Sequence, residues 1–158
     1  MIILPLFVFT IFGLYLSWKD HKTTEVSLLD LLIMAALGVA IALQTPFHFT
    51  SLSEHLLGGA LALFVTGMVR WVGQAWTKRE AFGEADVWIA TTGGFLIGLQ
   101  WLPIWLGFSA GLGFLFYFFL SKKDEDGHPI LPFLPTLIVT LLVIAWARWF
   151  SFLPPTWL

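Results

Sequence analysis

The sequence predicts an all-α protein, a polytopic membrane bundle of about six transmembrane helices. Two observations carry this. Of 158 residues, 58% are apolar and only 11% charged, too few polar groups to cover a soluble domain of that size. The apolar residues also gather into six runs, each near the roughly 20 residues that a bilayer span needs. A third observation, the placement of the lysines and arginines, orients the spans.

The runs cover about residues 2–18, 28–45, 54–73, 86–101, 104–120 and 131–152. The first lacks the basic start and small-residue cleavage site of a signal peptide, so it reads as a retained helix. Pro46 closes the second run. Small residues recur in the third (Gly58, Gly59, Gly67), the fourth (Gly93, Gly94, Gly98) and the fifth, where Gly107 and Gly111 have the spacing of a close helix contact. Pro103 makes the tight turn between the fourth and fifth. Asp126, Gly127, His128 and Pro129 form a turn cluster before the sixth, whose first turns hold Pro132 and Pro135. Residues 1–158 are expected to form a single transmembrane domain, with little chain left for a soluble one.

Lys19 and Lys22 follow the first run, Arg70, Lys78 and Arg79 the third, and Lys122 and Lys123 the fifth. The connections after the second and fourth runs hold no basic residue. The positive-inside rule therefore puts the first, third and fifth loops in the cytoplasm and both termini outside. Trp18, Trp71, Trp76 and Trp88 then mark the inner interface, and Trp101, Trp105, Trp149 and Trp157 the outer one. Arg148 alone breaks the pattern, and its long stem is expected to snorkel to the outer interface. With no cysteine there is no disulfide and no thiolate metal site. His21, His48, His55 and His128 make no ligand pair at helical spacing, so neither metal nor cofactor is expected.

A charge at the bilayer centre costs about 2.5–3.5 kcal/mol, and none of the ten acids sits near a midplane. Asp20 and Glu25 fall in the first inner loop, Asp30 in the first turn of the second helix, and Glu80, Glu84 and Asp86 at the entry to the fourth. Asp124, Glu125 and Asp126 fall in the third inner loop, while Glu54 is outside. Asp20 is placed just past the end of the first helix and Asp86 just inside the fourth, so the topology brings both to the inner membrane boundary. Two converging carboxylates with restricted water cannot both ionise cheaply, and such a pair can hold a water between a base and an acid. Taken singly, Asp86 also reads as a helix cap and Asp20 as a solvated loop residue.

Gly83-Glu84-Ala85-Asp86, followed by Thr91-Thr92-Gly93-Gly94, resembles the Gly-x-Gly-Asp motif of the type IV prepilin peptidases, membrane aspartyl proteases that trim prepilins. The segment around Asp20, from Ser17 to Leu32, resembles the family's other catalytic stretch, with Val26-Ser27 in place of Ile-Pro. Leu131 to Pro135, LPFLP, is similar to the Pro-Phe-Gly-Pro segment of the last helix. Together these cover nearly the whole chain. Ala85 replaces the second motif glycine, Trp88 stands where many members have lysine, and Leu134 replaces the last glycine.

The resemblance implies a short form without the N-methylation domain, with Asp20 and Asp86 catalytic and Gly83, Glu84 and Ala85 supporting them. The acidic loop of Asp124, Glu125 and Asp126 is a candidate for attracting a basic leader. The implied partners are a prepilin-like protein substrate and the lipid bilayer, with no nucleic acid. The implied location is the inner membrane, with the active site facing the cytoplasm, in type IV pilus assembly or protein secretion. On the residues alone, a non-catalytic scaffold and a small proton-coupled transporter stay open, although the transporter reading favours midplane carboxylates.

Overall fold

The computed structural model describes residues 3–23, 25–44, 51–78, 83–120, 122–123, 129–130 and 133–149. These form six helices: α1 (Ile3–Thr23), α2 (Leu28–Gln44), α3 (Leu52–Thr77), α4 (Glu84–Ile97), α5 (Leu102–Leu120) and α6 (Leu134–Trp149). A short antiparallel pairing of β1 (Lys122–Lys123) with β2 (Pro129–Ile130) lies between α5 and α6. The all-α bundle read from the sequence is what the chain forms.

By length and composition, α1 and the Leu52–Trp76 stretch of α3 can cross a bilayer, while α2, α5 and α6 hold shorter apolar stretches. Large apolar side chains stand outward all along the bundle, among them Leu56, Phe64 and Trp71 on α3 and Phe108, Phe114 and Phe119 on α5. A water-soluble monomer rarely exposes so continuous an apolar surface.

Helices α1, α2, α4 and α6 pack in a ring, with α3 laid along α4 and α5 against α6. Phe9, Leu16, Met34, Ile41, Ile89, Leu137 and Ile138 fill the buried interior. The closest approach is between α3 and α4. A Cβ on Gly58 or on Gly94 would overlap the other's carbonyl oxygen, so only glycine at both positions lets the two backbones touch. The Trp105 ring occupies the space beside Gly93, and its Nε1 donates to the Leu137 carbonyl at 3.1 Å, tying α4, α5 and α6 together.

Local chemistry sets the helix starts. Ser27 begins α2: its Oγ accepts from the Asp30 N–H at 3.2 Å, and its own N–H donates to Asp30 Oδ2 at 3.2 Å. Serine thus caps the helix by a reciprocal pair with Asp30. Ser51 and Glu54 form the same reciprocal box at the start of α3, which ends at Lys78 in the left-handed region, φ 54°. The Phe133 carbonyl accepts from the Thr136 and Leu137 N–H groups, so α6 starts regularly at Leu134 with Pro135 in its first turn. Pro132 lies outside the described residues.

Four expectations need correction. First, α1 runs on to Thr23, so Asp20 lies inside its last turn instead of beyond it; Lys19 stabilises this extension through its 2.5 Å ion pair with Asp30. Second, α4 stops at Ile97, because Gly98 turns the chain at φ 78°. Trp101 therefore sits in a turn. Third, nothing lies within 4 Å of a Cβ placed on Gly107 or Gly111, so their spacing makes no close contact among the described residues.

The fourth concerns Arg148. It does not snorkel outward; its guanidinium turns in and donates to the Ile97 carbonyl, lying 6.0 Å from the Trp101 ring centroid. The reason is the shortness of α4. Its 14 residues rise about 21 Å. Its last carbonyls have no partner within the helix and, with Leu96 and Ile97 buried, take protein donors. Arg148 serves Ile97, and His55 Nδ1 serves the Phe95 carbonyl at 2.6 Å. In the turn beyond, the Leu99 N–H donates to the Glu54 carbonyl at 3.1 Å and Gln100 Nε2 to Glu54 Oε1 at 3.3 Å.

Candidate active site

On α1, burial follows one stripe: Leu6, Phe9, Gly13, Leu16, Ser17 and Asp20. Asp20 is the last member, 9% exposed. On α4, burial extends nearly all round, because the helix packs against α2, α3 and α6. Asp86, in its first turn, is 7% exposed. Carboxylates are rarely so enclosed unless paired or functional.

Packing contacts give their relative height. A Cβ on Gly38 of α2 would meet Thr92 of α4 and, at 3.7 Å, Phe9 of α1. These three residues therefore share one level. The end of α4 is linked through Ile97 to Arg148, and Trp146, one half-turn before it on α6, donates to Thr10 in the first half of α1 at 3.0 Å. So α4 runs antiparallel to α1. From the common level, Asp20 lies eleven residues on, about 16 Å, and Asp86 lies six residues back, about 9 Å. Both displacements point to the same end of the ring. Helices α1 and α4 occupy opposite corners, and neighbouring axes at 8–10 Å put such corners about 11–14 Å apart. Inward side chains from both can approach across that gap.

The motif residues divide. Asp86 Oδ2 accepts from the Gly83 N–H at 3.1 Å, reaching back to close the start of α4. A Cβ at Gly83 would press to 3.2 Å from that same oxygen, so glycine leaves room for the carboxylate. Glu84 points outward and pairs with Arg70 of α3 at 3.7 Å. Ala85 packs against the core, and Trp88 is about half exposed. Asp30, on the same rim, is taken up by Lys19 and Ser27. A cavity of about 430 Å³ lies at this turn, lined by Lys19, Thr23, Glu25, Val26 and Ser27. Asp124, Glu125 and Asp126 lie outside the described residues.

Ser17 is enclosed on the same stripe. Its only signal in the sequence is its place three residues before Asp20, which puts both on one helix face.

A helical bundle with two enclosed carboxylates at one end is the setting in which the chain's relatives become informative. Residues 7–123 match the type IV leader peptidase family, and the chain belongs to that family. It is 28% identical over 138 residues to a prepilin leader peptidase/N-methyltransferase of Haemophilus influenzae, an alignment covering 87% of this chain and 56% of that protein. The chain thus spans little more than half the length of this curated relative. No solved structure matches it.

Proposed function

We propose that the chain is a membrane aspartyl endopeptidase that removes the leader of a prepilin-like protein at the cytoplasmic face of the inner membrane. The observation that carries this reading is the burial of Asp20 and Asp86 at one end of a four-helix ring, together with membership of the leader peptidase family. The basic residues assign that end to the cytoplasm.

The chemistry follows from the pair. The ionised carboxylate takes a proton from a water held between the two, and the water oxygen bonds to the scissile carbonyl carbon. The protonated carboxyl polarises the carbonyl oxygen. Collapse of the tetrahedral intermediate breaks the C–N bond, and the leaving amine receives a proton from the pair. A substrate with a basic leader and an apolar helix presents this bond where water meets lipid, and a dyad at the rim meets it there. Gly83 and Ala85 keep the entry to α4 slim around Asp86, while Glu84 supports the same entry from outside through Arg70. The loop of Asp124, Glu125 and Asp126 is assigned to the basic leader by charge.

The test is direct. Purified protein in detergent is given a peptide with a basic leader followed by an apolar segment, and the products are weighed by mass spectrometry. A single cut at the junction, absent with Asp86→Asn, is the expected result. An intact peptide with the wild-type protein would refute the assignment.

A further inference from the structure

Seven hydroxyls within these helices follow one habit. Thr10, Thr23, Thr66, Thr91, Thr92, Ser109 and Thr140 each donate back to the carbonyl four residues earlier, at 2.6–3.0 Å. That bond is how a helix in an apolar medium satisfies a buried hydroxyl. Ser17 departs from it. Its Oγ has no hydrogen-bond partner among the described residues, although the side chain is enclosed, 9% exposed, and Gly13 supplies a carbonyl one turn back. Burying a hydroxyl without a partner costs free energy, so such a group asks for an explanation.

Its place supplies one. Ser17 and Asp20 are adjacent members of the buried stripe of α1, three residues apart, which puts their Cβ atoms about 5–6 Å from each other. Along the axis Ser17 lies about 4.5 Å deeper in the bundle than Asp20. An extended chain advances about 3.3 Å per residue. A peptide cut at the level of Asp20 would therefore carry its next one or two peptide groups past Ser17. Those groups need partners, because an extended segment has no internal hydrogen bonds and water is scarce at that depth.

We infer that Ser17 is a substrate-binding residue whose hydroxyl hydrogen-bonds the substrate backbone just on the membrane side of the scissile bond. This rests on the peptidase reading above. The group is held ready for an extended peptide, and it selects for chain that has been drawn out of helix at that point. A helical segment offers no unpaired backbone group there.

The experiment combines a protein variant with a backbone change in the substrate. Peptides are made with an ester in place of the first or the second amide beyond the scissile bond; an ester has no N–H, and its carbonyl is a weaker acceptor. On the all-amide peptide, Ser17→Ala is expected to lower kcat/KM about tenfold, the size of one hydrogen bond. On one of the two ester peptides the same variant is expected to cost less than twofold, because the contact is already lost. Thermal stability of Ser17→Ala in detergent should equal or exceed that of the wild type, since no described residue bonds the hydroxyl. Equal losses on the amide and both ester peptides, no loss on the amide peptide, or a marked fall in stability would each overturn the inference. Wild-type protein that cuts none of the peptides would overturn the peptidase reading and this inference with it. Cleavage with additive effects would overturn this inference alone.

Discussion

The guanidinium of Arg148, near the end of α6, donates to the carbonyl of Ile97, the last residue of α4. This contact closes the short helix at one end of the bundle, and Asp86 opens that helix at the other. Removing the donor leaves a buried carbonyl unsatisfied. Arg148→Leu should therefore destabilise the protein by about 1–3 kcal/mol, read as a lower thermal midpoint in detergent. Arg148→Lys should recover part of the loss, since lysine keeps a donor but not the planar fork.

Gly94 and Gly107 make a matched pair of tests. Both belong to glycine-rich helices, yet only Gly94 lies against a neighbouring backbone. Gly94→Ala should push α3 and α4 apart at a cost of about 1–3 kcal/mol. Gly107→Ala meets nothing within 4 Å and should be neutral or gain a few tenths of a kcal/mol from helix propensity. Equal effects at the two sites would contradict the packing described for α4.

Asp30 and Glu84 share the rim with Asp20 and Asp86 but have structural partners. Asp30→Asn weakens the start of α2 and the Lys19 ion pair, with an expected loss of about 1 kcal/mol. Glu84→Gln breaks an exposed pair with Arg70 and should cost about 0–1 kcal/mol. Peptide cleavage by either variant should stay within about threefold of wild type. Loss of cleavage with Glu84→Gln would move the catalytic assignment to that residue.

The topology is open to labelling. Single cysteines at Lys78 and Asp126 should react with a membrane-impermeant reagent only from the cytoplasmic side, and those at Phe49 and Trp157 only from outside. The opposite result at any two positions would invert the positive-inside assignment and remove the site from the cytoplasmic face.

Much of this architecture was legible because apolar runs and breakers are local signals. Six helices follow from composition, and Ser27 could be read as a cap from its neighbours alone. The bounds of α4 were less accessible. Nothing in residues 86–101 announces that Gly98, and not Gly93 or Gly94, takes the positive φ that ends the helix. That choice depends on Gly93 and Gly94 being held by Trp105 and Gly58 from other helices. Arg148 misled for the same reason: its partner is a carbonyl that becomes available only once α4 stops early. Gly107 and Gly111 carry a contact spacing, but no neighbour among the described residues lies within 4 Å of a Cβ at either. Ser17 could not be distinguished from seven other hydroxyls until their hydrogen bonds were known.

Asp20 and Asp86 are proposed to act as one unit, and a mutant cycle tests this. Cleavage rates are measured for Asp20→Asn, Asp86→Asn and the double variant, each confirmed to insert and fold. Residues that share a single step are grossly non-additive. Either single variant is expected to lose cleavage to the background level, with the double variant no worse than either. Near-normal cleavage by one single variant, or losses that multiply in the double, would contradict it.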